Sequence, residues 1–297
     1  MISRSNRRIS TGTVVHIGGR QLVFGQHMFD MQDANDLLGN FEALRARLAE
    51  DGYLLIRGFH DKDLVRRVGL EVVEQIDKRG GLAPGTPIED RIAAEHICSL
   101  PDGEFITLDD PTIQNMSAFG QMVSSEQMFG FVDALLDGPS RTFPHKWIRI
   151  YQPGCLTKIH FDSPFLGIGT TQGAVTAWAP LGDITLDMGP LAVVHGSHRI
   201  DQLITTYGET FVNHNGLTNL EALDWFQTVL PQLFQIMDNY GLTWRTTEFE
   251  AGDLLLFTKY LLHGSLKNHT RRYRLSTDWR FQRADEPVDP LWTLDPR

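Results

Sequence analysis

The feature that most constrains the fold of this chain is a change in the spacing of its apolar residues near Lys146. Upstream of Lys146 the apolar residues recur at helical spacing, whereas downstream they alternate with polar residues in short stretches separated by turn residues. The pattern predicts strands at Trp147–Gln152, Thr157–Asp162, Gly173–Ala179, Leu191–Val194, Asp253–Phe257 and Arg272–Arg280. Short strands spaced in this way are typical of a β-sandwich or barrel.

The first half of the chain combines a hairpin pattern with helical patterns. A hairpin at a sheet edge is predicted around Gly18-Gly19, and two helices are expected to end at Asp51-Gly52 and at Gly80-Gly81. The predicted elements are a hairpin at Gly12–Phe24, helices at Phe41–Glu50, Lys62–Lys78 and Ser125–Leu136, and a buried strand at Tyr53–Ile56.

We expect residues 1–297 to form a single domain, since no linker, repeat or low-complexity stretch marks a boundary. An N-terminal arm and helical buttress are expected over about residues 1–140, and a β-core over about residues 145–282. Helical spacing returns over about residues 215–240, where Pro231 is expected to kink or divide the helix. We interpret this segment as an insertion over the mouth of the barrel.

Charge and cysteine content exclude several classes of protein. The 27 basic and 37 acidic residues give a formal charge of -10, which disfavours binding to nucleic acid or to an anionic membrane surface. No window approaches the roughly 18 consecutive apolar residues of a membrane span. Cys98 and Cys155 belong to no CxxC pair, and the N-terminus lacks the apolar region of a signal peptide, so a cytoplasmic location is the simplest expectation.

The sharpest local motif is His160-Phe161-Asp162, within one of the predicted strands. Residues two apart on a strand lie on the same face, so His160 and Asp162 are expected to point together into the barrel. An imidazole and a carboxylate are two members of the facial triad that holds non-haem Fe(II) and leaves coordination positions open. A pattern this short also occurs as a solvated histidine beside a turn-capping aspartate.

A third ligand is expected from a histidine beyond a buried strand. His263 follows the apolar stretch before it and precedes Gly264, a position from which a side chain can face a cavity. His195 and His198, in a polar turn after another predicted strand, compete for the same role. We favour His263 because the predicted strand Arg272–Arg280, which carries candidate carboxylate-binding residues, follows it closely.

That strand carries Arg274 and Ser276 on one face. An arginine and a hydroxyl so placed can hold a carboxylate. Iron held by three protein ligands needs further electrons to activate oxygen, and a chelating 2-oxo acid supplies them by oxidative decarboxylation. The distal carboxylate of that acid needs a buried cation, which we assign to Arg274. The alternative is a surface ion pair within the basic run Arg271–Arg274.

The order and spacing of several longer stretches are specific to one family. These stretches are Asp51–Phe59, His160–Phe165, Trp178–Asp183, Met188–His198 and Gly252–Phe257, the last leading to His263-Gly264-Ser265. Over Asp51 to Arg280 the chain resembles the phytanoyl-CoA dioxygenase-like Fe(II)/2-oxoglutarate oxygenases. The resemblance implies a mostly β fold with flanking helices, whose core is a double-stranded β-helix of the jelly-roll, cupin-like type.

The resemblance also implies a reaction and a site. It implies a dioxygenase that uses Fe(II), 2-oxoglutarate and O2, hydroxylates or desaturates a small organic substrate, and releases succinate and CO2. Relatives that halogenate lack the carboxylate ligand, so the presence of Asp162 favours hydroxylation or desaturation. The residues that match the family's site positions are His160, Asp162 and His263 as metal ligands, Arg274 at the distal carboxylate, and Ser265 and Trp178 near the cosubstrate.

The chain departs from its relatives at two positions. Phe161 stands between the metal ligands, where many relatives have a polar residue, and we expect it in the core. A lysine that often contacts the cosubstrate has no counterpart on the strand at 147–152, where the alternatives are Arg149, Tyr151 and Gln152. Arg149 and Gln152, together with Phe165, are also candidates for contact with substrate.

Other functions remain possible on the sequence alone. A cupin-like metal-dependent isomerase, lyase or binding protein would not use 2-oxoglutarate, and the pairing of Arg274 with Ser276 argues against it. A hydroxylase of proteins or peptides is compatible with the acidic charge of the chain. A non-enzymatic protein with a decayed site would lack at least one metal ligand, and all three are present.

Overall fold

The computed structural model describes residues 8–98, 116–166, 173–209 and 219–290. Two β-sheets share a core, and helices pack on the outside of both. The strands are β1 (Val14–Ile17), β2 (Arg20–Val23), β3 (Met28–Asp30), β4 (Tyr53–Ile56), β5 (Ser140–Thr142), β6 (Trp147–Tyr151), β7 (Val175–Pro180), β8 (Leu191–Val194), β9 (Trp244–Thr246), β10 (Leu254–Thr258), β11 (His263–Ser265) and β12 (Arg274–Arg283).

The helices surround these strands. The α-helices are α1 (Phe41–Asp51), α2 (Lys62–Lys78), α3 (Glu95–Cys98), α4 (Ser117–Val123), α5 (Glu126–Leu135), α6 (Ser163–Leu166), α7 (Asp201–Leu203), α8 (Asn219–Thr228) and α9 (Leu230–Asn239). A turn of π-helix covers Ile204–Gly208, directly after α7. In the part of the chain that the structure describes, no helix has the length and apolar character needed to cross a membrane.

The larger sheet has the strand order β4-β10-β7-β12-β5, with β6 also paired to β12, and its neighbours are antiparallel. The smaller sheet has the order β11-β8-β9-β3, and its β3–β9 pair is parallel. The ten-residue strand β12 pairs with β7 along one edge and with β6 and then β5 along the other. Strand β12 therefore runs through the middle of the larger sheet.

Alternation along β10 places its side chains in two different cores. Leu254 and Leu256 join the core that the larger sheet shares with α1, α2, α4 and α5. Leu255 and Phe257 point the other way, into the core between the two sheets, where they meet Leu191 and Val193 of the smaller sheet. Because both faces of β10 are covered, its sequence is continuously apolar, as the prediction of a buried strand required.

Local sequence signals fix the ends of the helical buttress. The Asp61 side chain accepts a hydrogen bond from Leu64 N at the start of α2, as an N-cap does. Helix α1 ends at Gly52, whose backbone has φ of +81° and whose N–H donates to Leu48 O. A left-handed residue at this position favours glycine, so the predicted break before β4 is confirmed.

The hairpin and the insertion pack against the smaller sheet. Strands β1 and β2 form a two-stranded sheet of their own, and their apolar residues share a core with α8 and α9. The insertion is divided at Val229, and Pro231 lies in the first turn of α9, where its missing N–H costs nothing. Residues 215–218 of the predicted insertion lie outside the described residues.

One predicted strand is wrong. Thr157–Asp162 forms no strand in the structure: His160 makes an isolated bridge to His263, and Asp162 directly precedes α6. Pro164 in α6 suits the first turn of a helix and not a continued strand. The short strands β3, β5, β9 and β11 were not predicted, because three residues are too few to show an alternation.

Candidate metal centre

Backbone hydrogen bonds bring the first two candidate ligands together. His160 N donates to His263 O at 2.9 Å, and His263 N donates to His160 O at 3.0 Å. This exchange places the two imidazole rings side by side, with centroids 4.3 Å apart. Asp162 follows two residues later, and its carbonyl accepts from Phe165 N at the start of α6. The turn into α6, rather than a strand, directs Asp162 toward the rings.

Both imidazoles present the same nitrogen to the site. His160 Nδ1 lies 2.7 Å from the Lys158 carbonyl oxygen, and His263 Nδ1 lies 3.0 Å from the Leu261 carbonyl oxygen. A carbonyl oxygen only accepts, so each Nδ1 carries the proton and each Nε2 keeps its lone pair. The Nε2 atoms of His160 and His263 lie 3.7 and 3.8 Å from Asp162 Oδ1.

These three side chains form a buried donor set suited to a divalent metal. One ligand atom from each of His160, Asp162 and His263 lies within 4.8 Å of the others. Two neutral imidazoles and one carboxylate are the donor set of non-haem Fe(II) oxygenases. Burial, and then the neighbouring His160, lower the pKa of His263 to about 4, so its imidazole is neutral and able to bind metal at neutral pH.

The competing histidines are engaged elsewhere. His195 Nε2 lies 2.9 Å from Asp51 Oδ1, at the end of α1. His198 Nε2 lies 2.9 Å from the Ala49 carbonyl oxygen. Both rings thus tie the turn after β8 to α1, as expected for a structural turn, and the structure places only His263 of the three beside His160 and Asp162.

A row of alternating charges leads away from Asp162. Arg280 Nη2 lies 3.1 Å from both oxygens of Asp162, and Arg280 Nη1 donates to Asp278. Arg149 Nε and Nη2 donate to the two oxygens of Asp278 at 2.7 and 3.1 Å. We call Asp162, Arg280, Asp278 and Arg149 the charged row. The Arg280 guanidinium also lies 4.1 Å from the centroid of the Trp147 ring.

The charged row keeps its carboxylates ionised inside the protein. Burial alone would raise the pKa of Asp162, but the Arg280 guanidinium outweighs burial and holds it well below its usual range. Burial likewise opposes ionisation of Asp278, and the guanidinium groups of Arg149 and Arg280 outweigh it and lower its pKa. Asp162 therefore carries its negative charge even without a bound metal.

Arg274 and Ser276 lie on the same face of β12 as Asp278 and Arg280 of the charged row. Arg274 is 1% exposed, its guanidinium lies 3.9 Å from the centroid of the Tyr151 ring, and its Nη2 lies 3.5 Å from Thr157 Oγ1. Among the described residues, Arg274 Nη1 and Ser276 Oγ have no hydrogen-bond partner. Unsatisfied donors this deeply buried fit an anionic group such as the distal carboxylate of 2-oxoglutarate.

The remaining predicted residues take different positions. Trp178 is buried in the core between the sheets, 4.8 Å from the Phe249 ring centroid, and Gln152 is buried with no partner for Oε1 among the described residues. The Ser265 hydroxyl accepts from Thr157 N at 2.7 Å and donates to Leu266 O at 3.0 Å. Contact of Ser265 and Trp178 with cosubstrate stays a prediction.

The candidate substrate residues lie on two sides of the triad. The Phe165 ring packs edge-on against His160 with centroids 5.7 Å apart. Arg149 is partly exposed at the outer end of the charged row. Phe161, which lies between the ligands in sequence, is fully buried in the core with the hairpin and the insertion, as expected.

Comparison with known proteins decides the family. The phytanoyl-CoA dioxygenase (PhyH) family model matches residues 48–276, a span that contains the triad and Arg274. The chain belongs to this family. Membership in the phytanoyl-CoA dioxygenase family confirms the predicted enzyme class, an Fe(II)- and 2-oxoglutarate-dependent dioxygenase.

Two named relatives extend the likeness. The chain is 26% identical over 265 residues to 1-deoxypentalenic acid 11-beta-hydroxylase of Streptomyces exfoliatus, covering 86% of each chain. It is 28% identical over 173 residues to ectoine dioxygenase of Halomonas elongata, covering 56% of this chain and 50% of that one.

Two solved structures confirm the fold. The 2-oxoglutarate-dependent carbocyclase SnoK of nogalamycin biosynthesis aligns with a TM-score of 0.57 at 18% identity, covering 86% of this chain and 91% of that one. Iron-bound EctD from S. alaskensis aligns with a TM-score of 0.57 at 16% identity, covering 90% and 85%. The predicted cupin-like fold, mostly β with flanking helices, is confirmed.

Three residues at the predicted site were not predicted from the sequence. Thr176 and Arg280 contact Asp162, and Asp278 contacts Arg280. A signal for two of them was present, because the alternation that pairs Arg274 with Ser276 continues through Asp278 and Arg280 to Gln282. Five polar side chains on one face of a strand in a β-rich core indicate a polar interior.

Proposed function

We propose that His160, Asp162 and His263 hold Fe(II) and that Arg274 and Ser276 hold the distal carboxylate of 2-oxoglutarate during hydroxylation of a small organic substrate. One observation carries the proposal: the unpartnered Arg274 Nη1 and Ser276 Oγ lie on the same face of β12 as the row that ends at Asp162. Burying a guanidinium that has no carboxylate partner is costly, and a bound anion would offset that cost.

Fe(II) with bound 2-oxoglutarate supplies the oxidising chemistry, in which O2, 2-oxoglutarate and a substrate C–H bond give a C–OH group, succinate and CO2. The protein's part is to bind and to orient. His160 and His263 direct their Nε2 atoms at the site because their Nδ1–H groups are bonded to backbone carbonyls. Tyr151 lies against the face of the Arg274 guanidinium and limits its movement.

The class of substrate follows from the relatives and from the composition of the site. The relatives named above act, by their names, on 1-deoxypentalenic acid and on ectoine, both small organic molecules. Phe165 gives the His160 side of the triad an apolar wall. We propose a small organic substrate here too, with cytoplasmic activity, since neither Cys98 nor Cys155 forms a disulfide.

Binding of 2-oxo acids to the Mn(II)-loaded enzyme tests the assignment of the distal carboxylate. 2-Oxoglutarate and 2-oxobutyrate share the chelating end, and only 2-oxoglutarate has a second carboxylate. We expect isothermal titration to give at least tenfold tighter binding of 2-oxoglutarate, and the preference to be lost in Arg274→Gln. Equal affinity of the parent for the two acids would contradict the role of Arg274.

The matched control is Arg271→Gln, on the approach to the same strand. Arg271 is exposed and pairs with Glu95 at the surface. This variant is expected to keep the parent's preference for 2-oxoglutarate, because it changes the same type of residue without touching the buried site.

A further inference from the structure

The two oxygens of Asp162 have different surroundings. Oδ1 faces the Nε2 atoms of both histidines, at 3.7 and 3.8 Å. Oδ2 accepts a hydrogen bond from Thr176 Oγ1 on β7. Arg280 Nη2 lies 3.1 Å from each oxygen and so braces the carboxylate from one side. Only Oδ1 is therefore directed at the place where the two imidazoles converge.

Thr176 and Arg280 reach the same carboxylate because the sheet makes them neighbours. Arg280 of β12 is the direct cross-strand partner of Thr176 of β7. Side chains at directly opposed positions lie on the same face, about 5 Å apart at Cβ. Arg280 is 5% exposed and Thr176 is 0% exposed, so neither side chain can turn toward solvent. Their positions are set by strand register rather than by a flexible loop.

Arg280 is itself held on its other sides. Its Nη1 donates to Asp278, and Asp278 is bonded by Arg149 through both oxygens. The Trp147 ring covers the guanidinium face. Losing one partner of a buried charged pair is costly, since the other charge is left unpaired in a medium of low dielectric constant. Asp278, with Arg149 behind it, and the Trp147 ring therefore hold the Arg280 guanidinium in place. That guanidinium in turn holds the Asp162 carboxylate.

The number of carboxylate oxygens on the metal matters for this reaction class. Three protein ligands, each using one position, leave three positions open at an octahedral Fe(II). A chelating 2-oxo acid takes two of these, which leaves one for O2. A carboxylate that used both oxygens would take a fourth position, and none would then be left for O2.

We propose that Thr176 and Arg280 are positioning residues that restrict Asp162 to a single metal-binding oxygen and so keep one coordination position open for O2. Thr176 occupies Oδ2 with its hydroxyl proton, and Arg280 prevents rotation of the carboxylate. This inference rests on the proposed function, because it takes His160, Asp162 and His263 as the iron ligands.

Nitric oxide tests the inference without turnover, since it binds Fe(II) at the position that O2 would take. The anaerobic enzyme is loaded with Fe(II) and 2-oxoglutarate and titrated with nitric oxide. Electron paramagnetic resonance then quantifies the spin-3/2 iron–nitrosyl signal per iron. The visible charge-transfer band of the iron–2-oxoglutarate complex is recorded on the same samples, to show that metal and cosubstrate are bound.

Two variants weaken the contacts of Thr176 and Arg280 with the Asp162 carboxylate, and three control variants leave those contacts intact. Thr176→Val removes the hydroxyl at nearly constant shape, and Arg280→Lys keeps the charge but loses the planar fork. Thr176→Ser restores the hydroxyl. Thr246→Val removes another fully buried hydroxyl, which donates to Leu191 O in the smaller sheet. Arg283→Lys alters a surface pair with Asp285 on the same strand as Arg280.

We expect Thr176→Val and Arg280→Lys to keep the charge-transfer band and to lose about tenfold in nitric oxide affinity, the lower end of what outer partners contribute at metal sites. Thr176→Ser and the two distant controls should match the parent. Parent-like nitric oxide affinity in both test variants would overturn the inference. Loss of iron itself from Thr176→Val, with normal circular dichroism, would overturn it as well. Thr176 would then be needed for iron binding and not for restricting Asp162 to one metal-binding oxygen.

Failure of the proposed function would look different. In that case the parent itself would form no charge-transfer band with Fe(II) and 2-oxoglutarate, and the variants would not be informative. A parent with a normal band and a normal nitrosyl signal keeps the proposed function intact whatever the variants do. The two claims can therefore fail separately.

Discussion

Replacing Arg274 with methionine is expected to stabilise the metal-free protein while removing most of its affinity for 2-oxoglutarate. Burial lowers the pKa of Arg274 from 12.5 to about 10, so the folded state holds its charge at a cost. That fall in pKa corresponds to about 3 kcal/mol. Methionine is of similar length and carries no charge. It forgoes the contact with the Tyr151 ring, which is worth about 2 kcal/mol for a buried pair. The free energy of unfolding should therefore rise by about 1 kcal/mol.

Binding should change in the opposite direction. Removing one partner of a buried, hydrogen-bonded charge pair costs about 2–5 kcal/mol, which corresponds to a roughly 30- to 4000-fold higher Kd. Bound 2-oxoglutarate at about 100 times its Kd stabilises the parent by about 2.7 kcal/mol. The same concentration should stabilise Arg274→Met far less.

Urea unfolding measures both effects, first on the metal-free protein and then on the Mn(II)-loaded protein with and without 2-oxoglutarate. Arg272→Met is the matched control, since Arg272 is about half exposed and lies 3.9 Å from Asp90 at the surface. Destabilisation of the metal-free Arg274→Met protein by more than about 2 kcal/mol, or an unchanged 2-oxoglutarate affinity, would refute the reasoning. The first result would mean that Arg274 has a structural partner, and the second that the cosubstrate binds elsewhere.

Two further predictions concern stability. Burial lowers the pKa of His60 from 6.5 to about 4, so the stability this neutral imidazole provides is complete above pH 6.5 and is lost as the pH falls toward 4. Between pH 7 and pH 5, the free energy of unfolding of His60→Leu should therefore fall by about 2 kcal/mol less than that of the parent, as measured by urea unfolding. An equal fall in the two proteins would contradict this. Asp253 accepts from Arg57 Nη1, Gly58 N and Glu250 N at 2.7–3.0 Å. Asp253→Ala should cost about 3 kcal/mol, against less than about 0.5 kcal/mol for the exposed Asp63→Ala, and an equal cost for the two would contradict the role of Asp253.

Much of the fold could be predicted because each prediction had a local cause. The bounds of α2, β4 and β8 agree with the predicted ones to the residue, since an N-cap, a glycine or an apolar run marks each of their ends. The strand at Thr157–Asp162 was predicted wrongly because alternation of polar and apolar residues also arises in an extended segment that only bridges a neighbour. His160 and Asp162 still meet, but through the turn into α6.

The site could be predicted only where one strand or motif carries it. The three candidate ligands and Arg274 stand out because of their residue types and spacing. Thr176 does not, because a threonine in a strand is ordinary, and only the pairing of β12 with β7 places it beside Arg280 and Asp162. The register between two strands that are distant in sequence cannot be predicted from the sequence of either strand alone.

The most direct test of the central claim is the anaerobic absorption spectrum of the purified enzyme with Fe(II) and 2-oxoglutarate. We expect a weak visible charge-transfer band that needs both components in the parent, is absent in His160→Ala, and needs far more 2-oxoglutarate in Arg274→Met. No band in a parent that binds one equivalent of Fe(II) would contradict the assignment of His160, Asp162, His263 and Arg274 to iron and 2-oxoglutarate.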